Sequence, residues 1–110
     1  MGRFTLTVRI AGKVEHARFG ELEDALAEFE ARGHALQGRA DAAVVGGSLM
    51  RRYEPQAQVT ARLEIRGPRV ACGVDIRGDG SAVPFTGRFR RREIERRREE
   101  SSYDALRRML

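Results

Sequence analysis

The chain has 110 residues, 41% of them hydrophobic and 34% charged, and a formal net charge of +5. That length fits one domain, and the apolar fraction is enough for a packed core, which excludes a fully disordered chain. No apolar run approaches the roughly 18 residues of a membrane-spanning helix, and Met1-Gly2-Arg3-Phe4 leads straight into an alternating pattern, so no signal peptide is expected.

Phe4, Leu6, Val8 and Ile10 alternate with Thr5, Thr7 and Arg9, the pattern of a strand with one buried face. A hairpin loop at Gly12-Lys13, with Gly12 in the positive-φ position of a type II′ turn, would pair Val8 with Ala17 and Leu6 with Phe19. His16 would then oppose Arg9 on the polar side. From Gly20 the period changes: Leu22, Ala25, Leu26 and Phe29 share one side of a helix predicted over 21–32, with Gly33 as its stop. Glu21, Glu23, Asp24, Glu28 and Glu30 crowd the rest of that helix. Residues 34–48 carry no clear period; Ala42 to Val45 suggests a short strand and Gly46-Gly47 a bulge or hinge. Leu49 to Tyr53 reads as extended, with Pro55 breaking it.

Ala57, Val59, Ala61, Leu63 and Ile65 then alternate with polar residues, and so do Val70, Cys72, Val74 and Ile76. A loop at Gly67-Pro68 pairs Ile65 with Val70, Leu63 with Cys72, Ala61 with Val74 and Val59 with Ile76, and a one-residue slip would turn the apolar set outward. Gly78-Asp79-Gly80-Ser81 is a turn, and Val83, Phe85, Gly87 and Phe89 predict another strand. Strand, helix and coil all stay open for residues 90–100, where Ile94 is the one apolar residue. Ser101 and Asp104 form an Asp variant of the capping box, opening a short terminal helix with Tyr103, Leu106, Met109 and Leu110 on one face. The order β-β-α-(β)-β-β-β-α predicts a two-layer α+β sandwich: a mainly antiparallel sheet of four to six strands with two helices on one face. The whole of 1–110 reads as one domain with an Arg-rich segment at 88–98.

Catalysis needs a constellation of groups, and none is visible. His16 and His34 lack metal-ligand spacing and read as solvated and as loop or cap residues. Cys72 falls on the apolar side and reads as a buried structural thiol. Being the sole cysteine, it makes no internal disulfide, so a cytoplasmic location is the default expectation. Gly46-Gly47-Ser48 and Gly78-Asp79-Gly80-Ser81 match no nucleotide-binding loop and read as turns. The expectation is a protein that is not an enzyme and uses no metal or cofactor.

The position of the charge is more informative than its total. Residues 1–56 hold seven Arg and Lys13 against eight acids, a net of zero; residues 57–110 hold 13 Arg against eight acids. Arg88, Arg90, Arg91, Arg92, Arg96, Arg97 and Arg98 lie within eleven residues that contain only two acids, Glu93 and Glu95. Twenty of the 21 basic residues are Arg and Asn is absent, which codon bias in a GC-rich genome also explains. Three settings would compensate so dense a cluster: salt and the neighbouring glutamates, a phosphate backbone, or the acidic helix 21–32 of the same or a second subunit. Guanidinium donors suit phosphate, and Arg62, Arg66, Arg69 and Arg77 on the polar side of the sheet would extend such a surface, as would Thr60. Phe4, Phe19, Phe29 and Phe85 fit core positions, leaving Phe89 and Tyr53 as the aromatics available for base stacking, so backbone and shape would be read rather than base identity.

The stretch 57–77 and the helix start Ser102-Tyr103-Asp104-Ala105-Leu106, with a strand and helix before them, resemble in order the β-α-β-β-β-α domain of ribosome-hibernation factors. The chain differs in its additional N-terminal hairpin and in the length of 80–100. The resemblance implies RNA, on the ribosome, as a partner. The expected function is non-catalytic polyanion binding through the Arg-rich segment. The alternative is a homo-oligomeric module, a homodimer for instance, in which that segment meets the acidic helix of another copy.

Overall fold

The computed structural model describes residues 2–47, 59–88 and 90–110, the side chains of 40–47 excepted. The elements are β1 (Phe4–Ile10), β2 (Lys13–Phe19), α1 (Leu22–Gly47), β3 (Val59–Gly67), β4 (Val70–Arg77), β5 (Ala82–Thr86), β6 (Arg92–Glu93) and α2 (Ser102–Arg108). The strands form one sheet in the order β2-β1-β3-β4-β5-β6, every neighbouring pair antiparallel. β1 lies between β2 and β3, so α1 carries the chain over one strand to a parallel position. Both helices cover the same face, the two-layer α+β arrangement predicted from the pattern.

Period-two patterning places the right side chains inside: Leu6, Leu63, Ile65, Val74 and Ile76 are fully buried beneath Phe29 of α1 and Leu106 of α2. The register within both hairpins differs from the sequence expectation by two residues. In the first, Leu6 faces Ala17 and Val8 faces Glu15, and the loop is Ala11-Gly12, both at positive φ (47° and 84°). Two positive φ values make a type I′ turn, whose twist matches the flanking strands. His16 consequently sits opposite Thr7, its Nδ1 3.1 Å from the Thr7 hydroxyl. In the second, Leu63 faces Val74 and Ile65 faces Cys72, with Pro68-Arg69 as the loop. Proline holds φ negative and Arg69 is at φ 62°, the type II combination. A slip of two keeps every residue on its face, which is why the alternation alone did not detect it.

α1 runs on to Gly47, so the strand expected at Ala42 to Val45 is helical instead. Gly33 is inside the helix. It and Leu36 continue the stripe of Leu22, Leu26 and Phe29, and Gly33 is buried under α2, where a Cβ would land on the Tyr103 hydroxyl. That hydroxyl donates to Gln37 Oε1 (2.8 Å), while Gln37 Nε2 donates to the Gly80 carbonyl (2.9 Å). The Tyr103 ring meets Phe29 edge-on at 5.9 Å, and His34, exposed on α1 rather than in a loop, lies 4.7 Å from it. α2 opens as predicted: the Ser101 hydroxyl accepts from the Asp104 N–H and the Asp104 carboxylate accepts from the Ser101 N–H. The readings placed on residues 48–58, Tyr53 and Pro55 among them, and on Phe89 lie outside the described residues.

Candidate nucleic-acid interface

The strand expected to run through 83–89 ends at Thr86. Gly87, at φ 117°, reverses the chain where a Cβ would strike the Arg90 carbonyl, and β6 returns alongside β5 with Glu93 opposite Phe85. Two anchors then hold residues 94–100 as a strap. Ile94 is buried and its N–H donates to the Pro84 carbonyl (2.9 Å). Arg108 of α2 donates to the Glu95 carbonyl (2.9 Å) and to Glu100 (Nε to Oε2, 2.9 Å), while Glu100 Oε1 accepts from the Arg97 N–H (2.7 Å). These charges and hydrogen bonds, Arg108 first, hold the Glu100 carboxyl below its ordinary value. The strap is neither helix nor continuous strand, because only Ile94 offers an apolar anchor to the core.

All seven arginines of the segment are exposed. Arg90, Arg92, Arg96, Arg97 and Arg98 make no side-chain ion pair among the described residues. Arg88 donates to the Gly67 carbonyl (3.2 Å). Arg91 leaves the others and swings over the open face of the sheet, where its guanidinium lies 5.1 Å from the centre of the Phe85 ring.

Phe85 corrects one expectation. It is only 3% exposed, yet it is absent from the core beneath the helices. Register puts it on the open face opposite Gly73, where a Cβ would meet the ring at 2.7 Å. Arg91 and Arg62 both lie over it, Arg62 at 5.9 Å from the ring centre. Arg62 is itself fixed by Asp75 across the β3–β4 pair (Nε to Oδ1, 2.5 Å), and that hydrogen bond strengthens its hold on its proton.

Next to this stack stands Glu64, its side chain 8% exposed. Arg66 donates to it at 3.1 Å, and Arg91 and Arg9 approach it at 3.7 and 3.8 Å. Together with Thr7 and Arg62 these residues line an open depression of about 450 Å³. Of the predicted extension, Arg62 and Arg66 therefore converge with Arg91, whereas Arg69 sits in the β3–β4 turn and Arg77 lies at the far end of β4, 3.7 Å from Glu93. Arg9 went unrecognised in the sequence. Its signal was its place among the polar residues of β1, which required the β1–β3 register that puts Arg9 opposite Arg62.

The acidic side of α1 lies across the sheet from this face. Glu23 and Glu30 pair with Arg107 of α2 at 3.1 and 3.6 Å, and Glu15 of β2 pairs with Arg32. Cys72 is buried against the helices, which pushes its thiol up to about 12, the behaviour of a structural rather than a nucleophilic sulfur. No helix is long and apolar enough to cross a membrane among the described residues. No protein-family model, curated protein or solved structure matches the chain.

Proposed function

We propose that this protein binds RNA without catalysis, through the arginines of 88–98 and the adjoining open face of the sheet. The observation that carries this reading is the strap itself. Its guanidiniums project to solvent without carboxylate partners among the described residues, while the backbone beneath them is pinned by Ile94 and Arg108. Unpaired, clustered guanidiniums attract polyanions and release counterions when they bind them. Readout of phosphate and shape suits a face whose one described aromatic, Phe85, is covered.

The test is fluorescence anisotropy with a mixed-sequence RNA at a series of salt concentrations. Changing Arg96, Arg97 and Arg98 to Ala is expected to weaken binding at least tenfold and to reduce the slope of log affinity against log salt by about 2, at roughly 0.7 per phosphate contact. No detectable binding of the unaltered chain at about 50 mM salt ends this reading. A light-scattering mass of two chains in low salt that falls to one on the same substitution would favour the clamp between copies instead.

A further inference from the structure

We infer that Arg9, Arg66 and Arg91, gathered above the buried carboxylate of Glu64, form a preformed seat for a backbone phosphate of RNA; this rests on the RNA-binding reading above. The vertical arrangement carries the argument. Glu64 is 8% exposed, whereas the three arginine side chains are 41–56% exposed. The carboxylate is thus the floor, and the more exposed arginine side chains are the rim.

A buried carboxylate needs compensation, but one cation would supply it. Three leave a local excess of two positive charges. Of the three, Arg66 alone makes a hydrogen bond to Glu64 among the described residues; Arg9 and Arg91 stand back at 3.8 and 3.7 Å. Each guanidinium has five N–H donors, so most remain unused. An incoming phosphate supplies oxygen acceptors and negative charge at the open side of the depression. Glu64 acts as a positioning residue, holding mutually repelling cations together before the ligand arrives.

Arg91 identifies the polymer. It belongs both to this seat and to the segment that turns at the sheet edge through β6 into the strap beside α2, where Arg96, Arg97 and Arg98 make no side-chain ion pair among the described residues. A ligand carrying charge at regular intervals can occupy both; a small anion cannot.

The experiment measures anisotropy with a 12-nucleotide mixed-sequence RNA. The variant Arg9→Gln/Arg66→Gln is expected to bind at least tenfold more weakly, with the salt slope reduced by about 1.4. The charge-matched control Arg32→Gln/Arg39→Gln, on α1 across the sheet, is expected to stay within about threefold of the unaltered chain, a difference under ~0.7 kcal/mol. Removing two cations leaves Glu64 poorly paired, so the triple variant Arg9→Gln/Glu64→Gln/Arg66→Gln guards against misfolding and is expected to show the same loss of RNA. In the unaltered chain the side-chain Nε–Hε signals of Arg66 and Arg91 should be distinct and shift on adding RNA, and Glu64→Gln should collapse them toward the bulk arginine position. Unaltered binding and slope in the folded triple variant overturn the seat while leaving strap-mediated binding intact. Loss of RNA binding by the native chain overturns both. Displacement of the RNA by micromolar inorganic pyrophosphate at constant ionic strength would assign the seat to a small phosphorylated ligand and overturn the RNA assignment.

Discussion

On the helix-covered face of the sheet, Leu63 meets Val74 and Ile65 meets Cys72; on the open face of the same two strands, Arg62 meets Asp75 and Glu64 meets Gly73. Sliding β4 by two residues would leave the covered face almost as well matched, because one aliphatic residue replaces another. The open face would not survive the same slide: Arg62 would lose Asp75, and the Phe85 ring would lose the glycine that makes room for it. In β3 and β4, apolar patterning therefore decides which side is inside. Turn geometry and specific polar pairs decide the register.

That contrast can be broken by experiment. Its largest expected consequence is on the covered face, where Leu63→Ala should cost about 2–5 kcal/mol in denaturant unfolding; a cost below about 1 kcal/mol would mean that the face is not the packed core. Gly33→Ala is next. Alanine is the better helix former, yet its Cβ would strike Tyr103, so a net loss of about 1–3 kcal/mol is expected, largely recovered by adding Tyr103→Phe. If Gly33→Ala stabilises the chain, the α1–α2 contact is not as described.

The open face should respond less. Asp75→Asn removes the charge facing Arg62, both side chains being partly exposed, and should cost about 1 kcal/mol. A loss as large as that of Leu63→Ala would erase the distinction between the faces. The smallest effect concerns pH. The folded Glu100 carboxyl lies below its unfolded value, so its contribution is complete above the unfolded value of about 4.3 and disappears as pH falls through the folded one. The Tm difference between the native chain and Glu100→Gln should be present at about pH 6 and vanish by about pH 2; a difference that grows on acidification contradicts the sign.

The same contrast explains how much of the molecule was legible in its sequence. Element order, the buried side of β1 to β4, the Ser101–Asp104 cap and the arginine segment follow from local pattern. The helix was cut short at Gly33 because glycine signals an end locally, whereas here a distant tyrosine requires it. Arg9 was overlooked, and Phe85 placed on the wrong side, because their surroundings are assembled by strands far apart in sequence. The route of 90–100 depends on the contacts of Ile94 and Arg108 with the folded body, which no periodicity encodes.

On the reading proposed above, the two tethers of that strap bear on the speed of RNA association. A loose arginine tail must be gathered as its ligand arrives, and each encounter then competes with the many arrangements the tail would otherwise sample. On the RNA-binding reading proposed above, the backbone's share of that freedom is surrendered once, when the chain folds, so an arriving polyanion would meet guanidiniums on a fixed backbone and association would be governed by diffusion and long-range attraction.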